Sequence, residues 1–176
     1  MKFTETEIRG VFLIELELLK DERGFFARTW DREEFQRRGL FSSIAHANIS
    51  FNPKKGTLRG LHYQTAPHAE AKVVRCSRGS LYDVAVDMRE DSHTYKKWVS
   101  VELTPENGKM LYVPEGCAHG FQTLEDNSEV SYFISGIYHP ESARGVRWDD
   151  PAFAIEWPDV SKRIISEKDR SYPDFA

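Results

Sequence analysis

Cysteine is nearly absent from this chain: Cys76 and Cys117 are the only two in 176 residues, and no short-range pairing motif joins them. A disulfide framework is excluded, and a reducing, cytoplasmic setting with two packed thiols is the plain expectation. Long apolar runs are missing too, so no bilayer-spanning helix and no signal-like segment is expected. Positive charge is not in surplus, with 24 Lys and Arg against 28 Asp and Glu, a net charge of −4. That balance excludes a global basic field for nucleic acid or an anionic membrane, so any anion site must be built locally. What remains, 40% hydrophobic and 12% aromatic residues, is enough for one core, and a single domain over 1–176 is expected.

Alternation of residue type favours strands. Tyr82, Val84, Val86 and Met88 share one face and Leu81, Asp83, Ala85 and Asp87 the other, as in a strand half-buried on each side. Val99, Val101 and Leu103 alternate with Trp98, Ser100 and Glu102, and Val130, Tyr132, Ile134 and Tyr138 fall on one face of a strand that runs straight. Turn-forming clusters at 52–56, 78–79, 105–108, 114–116 and 125–127 separate these runs. Many short strands joined by polar turns predict an all-β antiparallel barrel or jelly roll. Two short peripheral helices are expected, one over Asp31–Arg38 with capping-box spacing from Asp31 to Glu34 and Gly39 as its stop, the other near Val160–Ile165.

The chemistry concentrates in Gly56-Thr57-Leu58-Arg59-Gly60-Leu61-His62-Tyr63-Gln64, with Lys72 further on. A histidine takes a proton near neutral pH, and a nearby arginine and lysine can hold an anionic substrate against it. A metal-dependent oxygenase built on such a barrel would want His-x-His with a nearby carboxylate, but Tyr63-Gln64 follows His62, so no metal is expected. His68, His93 and His139 read as surface residues. Each candidate has an ordinary competitor: a strand tyrosine is commonly a barrel aromatic, a strand lysine snorkels, and an aspartate near the C-terminus is commonly solvated.

Several ordered motifs then carry a resemblance. They are Asp21-Glu22-Arg23-Gly24-Phe25-Phe26, Leu58 to Gln64, Ala71-Lys72, Asp83 to Arg89, Val113 to Phe121, Tyr132, Trp148-Asp149-Asp150-Pro151 and Ser166-Glu167-Lys168-Asp169. Together they resemble, nearly end to end, the dTDP-4-dehydrorhamnose 3,5-epimerase family. The resemblance implies a cupin-type jelly roll, a nucleotide-diphospho-4-keto-6-deoxy sugar as substrate, a homodimer with N-terminal strands exchanged or paired, and no cofactor. It also implies His62 as base, Asp169 as the partner that fixes its tautomer, and Tyr132 as the acid. Lys72 would serve the enolate oxygen, or else the sugar or phosphates, and His119 a supporting hydrogen bond in the same network. Arg23 and Arg59 are implied for the diphosphate, Lys168 near the nucleotide, Asn48 as a ligand-binding amide, and Phe25 or Tyr138 beside the base or sugar. A non-catalytic sugar-nucleotide-binding module would keep the arginines without needing His62, Tyr132 and Asp169 together.

The chain departs from the family pattern at four places. Arg28 stands where glutamate is usual, His46 and Glu70 where glutamine is usual, and the run Glu141-Ser142-Ala143-Arg144 lacks the glutamate expected after Pro140. Thymine offers an N3 hydrogen to a carboxylate, whereas cytosine offers acceptors to an arginine. Arg28 therefore keeps a CDP-linked sugar open beside the dTDP-linked one that is commoner in the family. Inversion at C3, C5 or both also stays open, with the His62, Asp169 and Tyr132 set favouring both.

Overall fold

The computed structural model describes residues 1–175. Its strands are β1 Lys2–Glu5, β2 Phe12–Glu15, β3 Leu19–Asp21, β4 Gly24–Phe26, β5 His46–Asn52, β6 Leu58–Gln64, β7 Lys72–Arg78, β8 Leu81–Asp87, β9 Trp98–Leu103, β10 Lys109–Val113, β11 Cys117–Thr123, β12 Ser128–Ile134 and β13 Ala143–Gly145. Helices α1, Arg32–Arg37, and α2, Glu167–Arg170, are short. A six-stranded sheet in the order β1-β2-β10-β7-β12-β5 faces a five-stranded sheet in the order β13-β6-β11-β8-β9, while β3 and β4 form a separate hairpin. The named strands pair antiparallel throughout, giving the expected jelly roll.

Between the sheets, Leu81 and Phe121 meet Val74, Cys76 and Val130. Further along, Ala85 and Cys117 meet Leu111 and Val113. Both cysteines are free and buried, as expected; burial pushes the Cys76 thiol up to about 11 and the Cys117 thiol up to about 12. The outer faces are covered as well. Helix α1 inserts Phe35 against Ile14, Val73, Met110 and Tyr112 on the six-stranded sheet, and the chain after β13 lays Phe153 and Trp157 over Leu58, Leu61, Val84 and Val86 of the other. Among the described residues, no helix is long and apolar enough to cross a membrane.

Three expectations need correction. Strand β8 is not half-buried on each side: every residue except Tyr82 is buried, because the segment carrying Phe153 and Trp157 seals its outer face. The face running Val130, Tyr132, Ile134 ends there, and Tyr138 sits exposed in the following loop, since Ser135 already bonds the Ala71 carbonyl at 3.0 Å as the chain turns away. Residues 160–165 are extended rather than helical: Ile164 bridges Thr57 in parallel, exchanging bonds of 2.9 Å with Gly56 and Leu58. The helix comes one step later, where Ser166 caps α2 by accepting from the Asp169 N–H at 3.1 Å. Helix α1 falls within its expected span. Asp31 accepts from the Glu34 N–H at 3.0 Å, but the Glu34 carboxylate turns to Arg37 and Arg38, so only half a capping box forms.

Candidate active site

A cavity of about 610 Å³ opens between the two sheets, with His62, Arg59 and His119 on one wall and Tyr132, Lys72 and Asn48 on the other. Helix α2 adds Lys168 and Asp169. Pairing of β6 with β11 sets His62 directly opposite His119, and pairing of β12 with β5 sets Tyr132 opposite Asn48.

His62 Nε2 lies 2.7 Å from Asp169 Oδ1, and the Gly60 N–H donates to the other carboxylate oxygen at 3.3 Å. Burial works to raise the Asp169 carboxyl, but the His62 bond and charge with the Gly60 bond more than offset it, leaving it below the usual carboxylate range. An ionised carboxylate only accepts, so Nε2 carries the proton and Nδ1 of the neutral ring holds the basic lone pair. The His62 side chain is 41% exposed and that of Asp169 only 6%, so the orienting partner is hidden while the ring stays accessible. Tyr172 sits edge-on to the imidazole at 6.3 Å between centroids. It reaches there because Gly145, opposite His62 in β13, leaves room: a Cβ at Gly145 would meet the Tyr172 ring at 2.2 Å.

Burial, then the nearby Asp83 carboxylate, push the Tyr132 phenol far above its ordinary value, so it keeps its proton. Its ring stands edge-on to His119 at 6.2 Å. His119 does not share the His62 network, which corrects the expectation for it. Its Nε2 bonds Asp83 Oδ1 at 2.8 Å, and Asp83 Oδ2 has no partner among the described residues. Lys72 Nζ lies 3.0 Å from Glu70 Oε1 and 3.4 Å from the His62 carbonyl, and Arg59 Nε donates to Asn52 Oδ1 at 2.8 Å.

The close strand contact behind this wall depends on two glycines. A Cβ at Gly60, φ +114°, would meet Gly120 Cα at 2.6 Å, and one at Gly120 would meet the Arg59 carbonyl at 2.8 Å.

Five predicted ligand residues do not line the cavity. Arg23 is 84% exposed and paired with Asp21 at 2.5 Å, and Phe25 stands exposed beside it, because the β3–β4 hairpin projects from the body instead of lying on a sheet. Arg28 bonds Asp31 at 2.8 Å in a separate depression of about 420 Å³. His46 precedes Asn48 on the same face of β5 but sits beyond the cavity, its Nε2 buried without a partner among the described residues. Tyr138 lines a side chamber of about 210 Å³ that also touches His62, Lys72 and Lys168.

Sequence reading missed Glu70, Asp83 and Tyr172 as parts of the site. Asp83 had a signal, an acid on the inward face of an apolar strand; Tyr172 had none. His68 and His139 are not separate surface residues: their rings stack at 3.5 Å, and His139 Nδ1 is 2.9 Å from Glu141. Their metal-ligand atoms gather within 4.8 Å, but the rings lie 12° from parallel and so do not converge on one ion, and the group stands outside the cavity.

Comparison with known proteins bears on the whole frame. The profile described as dTDP-4-dehydrorhamnose 3,5-epimerase matches residues 5–176. A dTDP-4-dehydrorhamnose 3,5-epimerase of Sinorhizobium fredii is 44% identical over 175 residues, 99% of this chain and 90% of that protein. The crystal structure of the Bacillus anthracis enzyme of that name, with TDP and PPi bound, is 38% identical with a TM-score of 0.94, covering 99% of both chains. A 3'-monoepimerase from Streptomyces bikiniensis in complex with dTDP-quinovose is 30% identical with a TM-score of 0.90, covering 96% of this chain and 85% of that one. Since the match runs through the paired strands that carry His62 and His119 and on past Asp169, the chain belongs to the dTDP-4-dehydrorhamnose 3,5-epimerase family.

Proposed function

We propose that this protein is an isomerase that inverts C3 and C5 of a dTDP-linked 4-keto-6-deoxy sugar, a step in making deoxysugar precursors. Hydrogens on C3 and C5 flank the C4 ketone, so each can leave as a proton and the charge passes to the ketone oxygen as an enolate. Inversion needs a base on one face of the sugar and a proton donor on the other. The observation that carries the reading is that His62, backed by Asp169, and Tyr132, which keeps its proton, stand on opposing sheets. Base and acid would then meet a flat enolate from opposite sides, with the imidazolium stabilised by Asp169. Lys72 would hold the enolate oxygen, and Arg59 and Lys168 the diphosphate.

A homodimer is part of the same proposal. Leu19, Phe25 and Phe26 are large exposed apolar residues on the hairpin that also carries Arg23, so a second copy seated there would cover them and bring Arg23 to a neighbouring cavity. The free, buried Cys76 and Cys117 suit a reducing compartment. A CDP-linked substrate is the second reading, favoured by Arg28 alone; its guanidinium is engaged by Asp31, which weakens that argument.

Deuterium incorporation at C3 and C5, followed by NMR with dTDP- and CDP-linked 4-keto-6-deoxyglucose in turn, tests both. Exchange that disappears in His62→Ala supports the epimerase, and the faster substrate identifies the nucleotide. A wild-type protein that exchanges neither would overturn the catalytic reading in favour of a binding module.

A further inference from the structure

Positive charge gathers at a second place, away from the sugar cavity. A depression of about 410 Å³, which shares only Ile165 with that cavity, is bordered by Arg147, Lys162, Arg163 and Arg170, with Asp149 as the one carboxylate among its described lining residues. Arg147 is engaged by Asp149 and Asp174. The other three cations have no carboxylate within ion-pairing distance among the described residues, in a chain whose net charge is −4.

The floor of the depression is rigidly built. Arg163 Nε donates to Gln122 Oε1 at 2.9 Å, its Nη2 donates to the Pro158 carbonyl at 2.9 Å, and its guanidinium lies 4.8 Å from the centre of the Trp148 ring. Gln122 is fully buried and donates to the same Pro158 carbonyl at 2.9 Å, so the fork that holds Arg163 is itself fixed. All the acceptors given to this half-buried guanidinium are neutral, so its charge stands uncompensated where water is scarce, and a bound anion would relieve that cost. Lys162 and Arg170 are exposed at the rim, free to fold over whatever Arg163 holds.

We propose that this depression is a second anion site, taking a compact di- or triphosphate, and that its occupant braces helix α2. Three uncompensated cations match the charge of such an ion, and two guanidinium groups suit its tetrahedral oxygens; a single carboxylate would leave most of the charge unanswered. The consequence for α2 follows from neighbouring residues on one turn. Lys168 and Asp169 face the sugar cavity, while Arg170 faces the depression. When the site is empty, Arg170 is repelled by Arg163, Lys162 and Arg147; when it is filled, Arg170 is drawn toward them, and the turn that presents Asp169 to His62 is held down. The binding claim goes beyond the epimerase reading and does not depend on it.

The test reads binding without turnover. Protein saturated with dTDP, to fill the sugar cavity, is titrated by calorimetry with inorganic pyrophosphate and, separately, with ATP. One equivalent of each is expected to bind, raising the melting temperature by about 5 °C at a hundredfold excess over Kd and slowing amide hydrogen exchange across 166–171 about tenfold. Lys162→Gln/Arg170→Gln removes two exposed, unpaired charges, so it should melt as wild type does without ligand, bind both ligands at least about tenfold more weakly, and lose the slowing. Arg59→Gln, in the sugar cavity, should bind them as wild type does. Equal affinities would show that the phosphates alone are read, and tighter ATP that the nucleoside adds contacts; either supports the site. Undiminished affinity in Lys162→Gln/Arg170→Gln, or no binding to wild type, would overturn the proposal. Binding that left amide exchange across 166–171 unchanged would overturn the bracing of α2. Should dTDP itself fail to bind, the nucleotide reading given above fails, and the Lys162→Gln/Arg170→Gln comparison still decides the second site.

Discussion

Two histidines face each other across β6 and β11, and each sets its Nε2 on an aspartate, His62 on Asp169 at 2.7 Å and His119 on Asp83 at 2.8 Å. The bonds are near twins, but the His62 side chain is 41% exposed and that of His119 is 6% exposed. Their aspartates differ in origin as well. Asp83 is built into a central strand, whereas Asp169 arrives on a single-turn helix that docks late in the chain. An aspartate beside an imidazole therefore does not by itself make a base. Access does, and the buried pair is suited to holding the wall against which Tyr132 packs.

The comparison can be broken most directly by exchanging the two rings. His62→Asn is expected to lower deuterium exchange at C3 and C5 by about 10³-fold, within the range for loss of a general base, and His119→Asn by only about tenfold. Equal losses would mean that both rings touch the reacting carbons. Tyr132→Phe should leave exchange on the His62 face while abolishing inversion, visible as deuterium entering substrate whose configuration is retained.

The aspartates sharpen the contrast at the next level. Asp169→Asn should cost about 10²-fold in exchange with little change in melting temperature, because its bond serves the tautomer of an exposed ring. Asp83→Asn should do the reverse, lowering the melting temperature by about 5 °C through an amide with an unmatched buried N–H, and costing less in rate. A rate loss in Asp83→Asn as large as that in Asp169→Asn would erase the distinction.

The smallest effect on activity is expected from a third carboxylate, Asp87. Burial would raise it, yet Arg89, Ser92 and Thr94 bind it so fully that it falls to about 2. Because its folded value lies below the ordinary 3.8, it contributes stability above that value and loses it as pH falls from 3.8 towards 2. The contribution is about 2 kcal/mol. Denaturant melts of Asp87→Asn should lose that amount at neutral pH and flatten below pH 4, with exchange at C3 and C5 unchanged; a fall in exchange would show that a saturated carboxylate can still serve the site.

Much of this was legible in the residues. Strand alternation and turn clusters locate β8, β9 and β12, and Asp31 and Gly39 bracket α1, because these signals are local. His62 and Asp169 are 107 residues apart, and their partnership was readable only through the family resemblance. Tyr172 escaped because it takes its place from space left by Gly145, and Asp83, though visible as an acid on an inward strand face, acquires its partner His119 from another strand; no spacing records either. The 160–165 segment misled because Val160, Ile164 and Ile165 are apolar for another purpose, closing the barrel as an extended chain beside Thr57.

The facing glycines at 60 and 120 make the site behave as a vice with one fixed jaw. Bare main chains in contact set the spacing of the β6–β11 seam, so no larger side chain can be fitted there to widen or narrow it. The opposite jaw, formed by β5 and β12, presents ordinary side chains such as Asn48, Ser50 and Ile134. Fitting a different sugar into this fold is thus a matter of recutting that second jaw, while the strand bearing the base keeps its place.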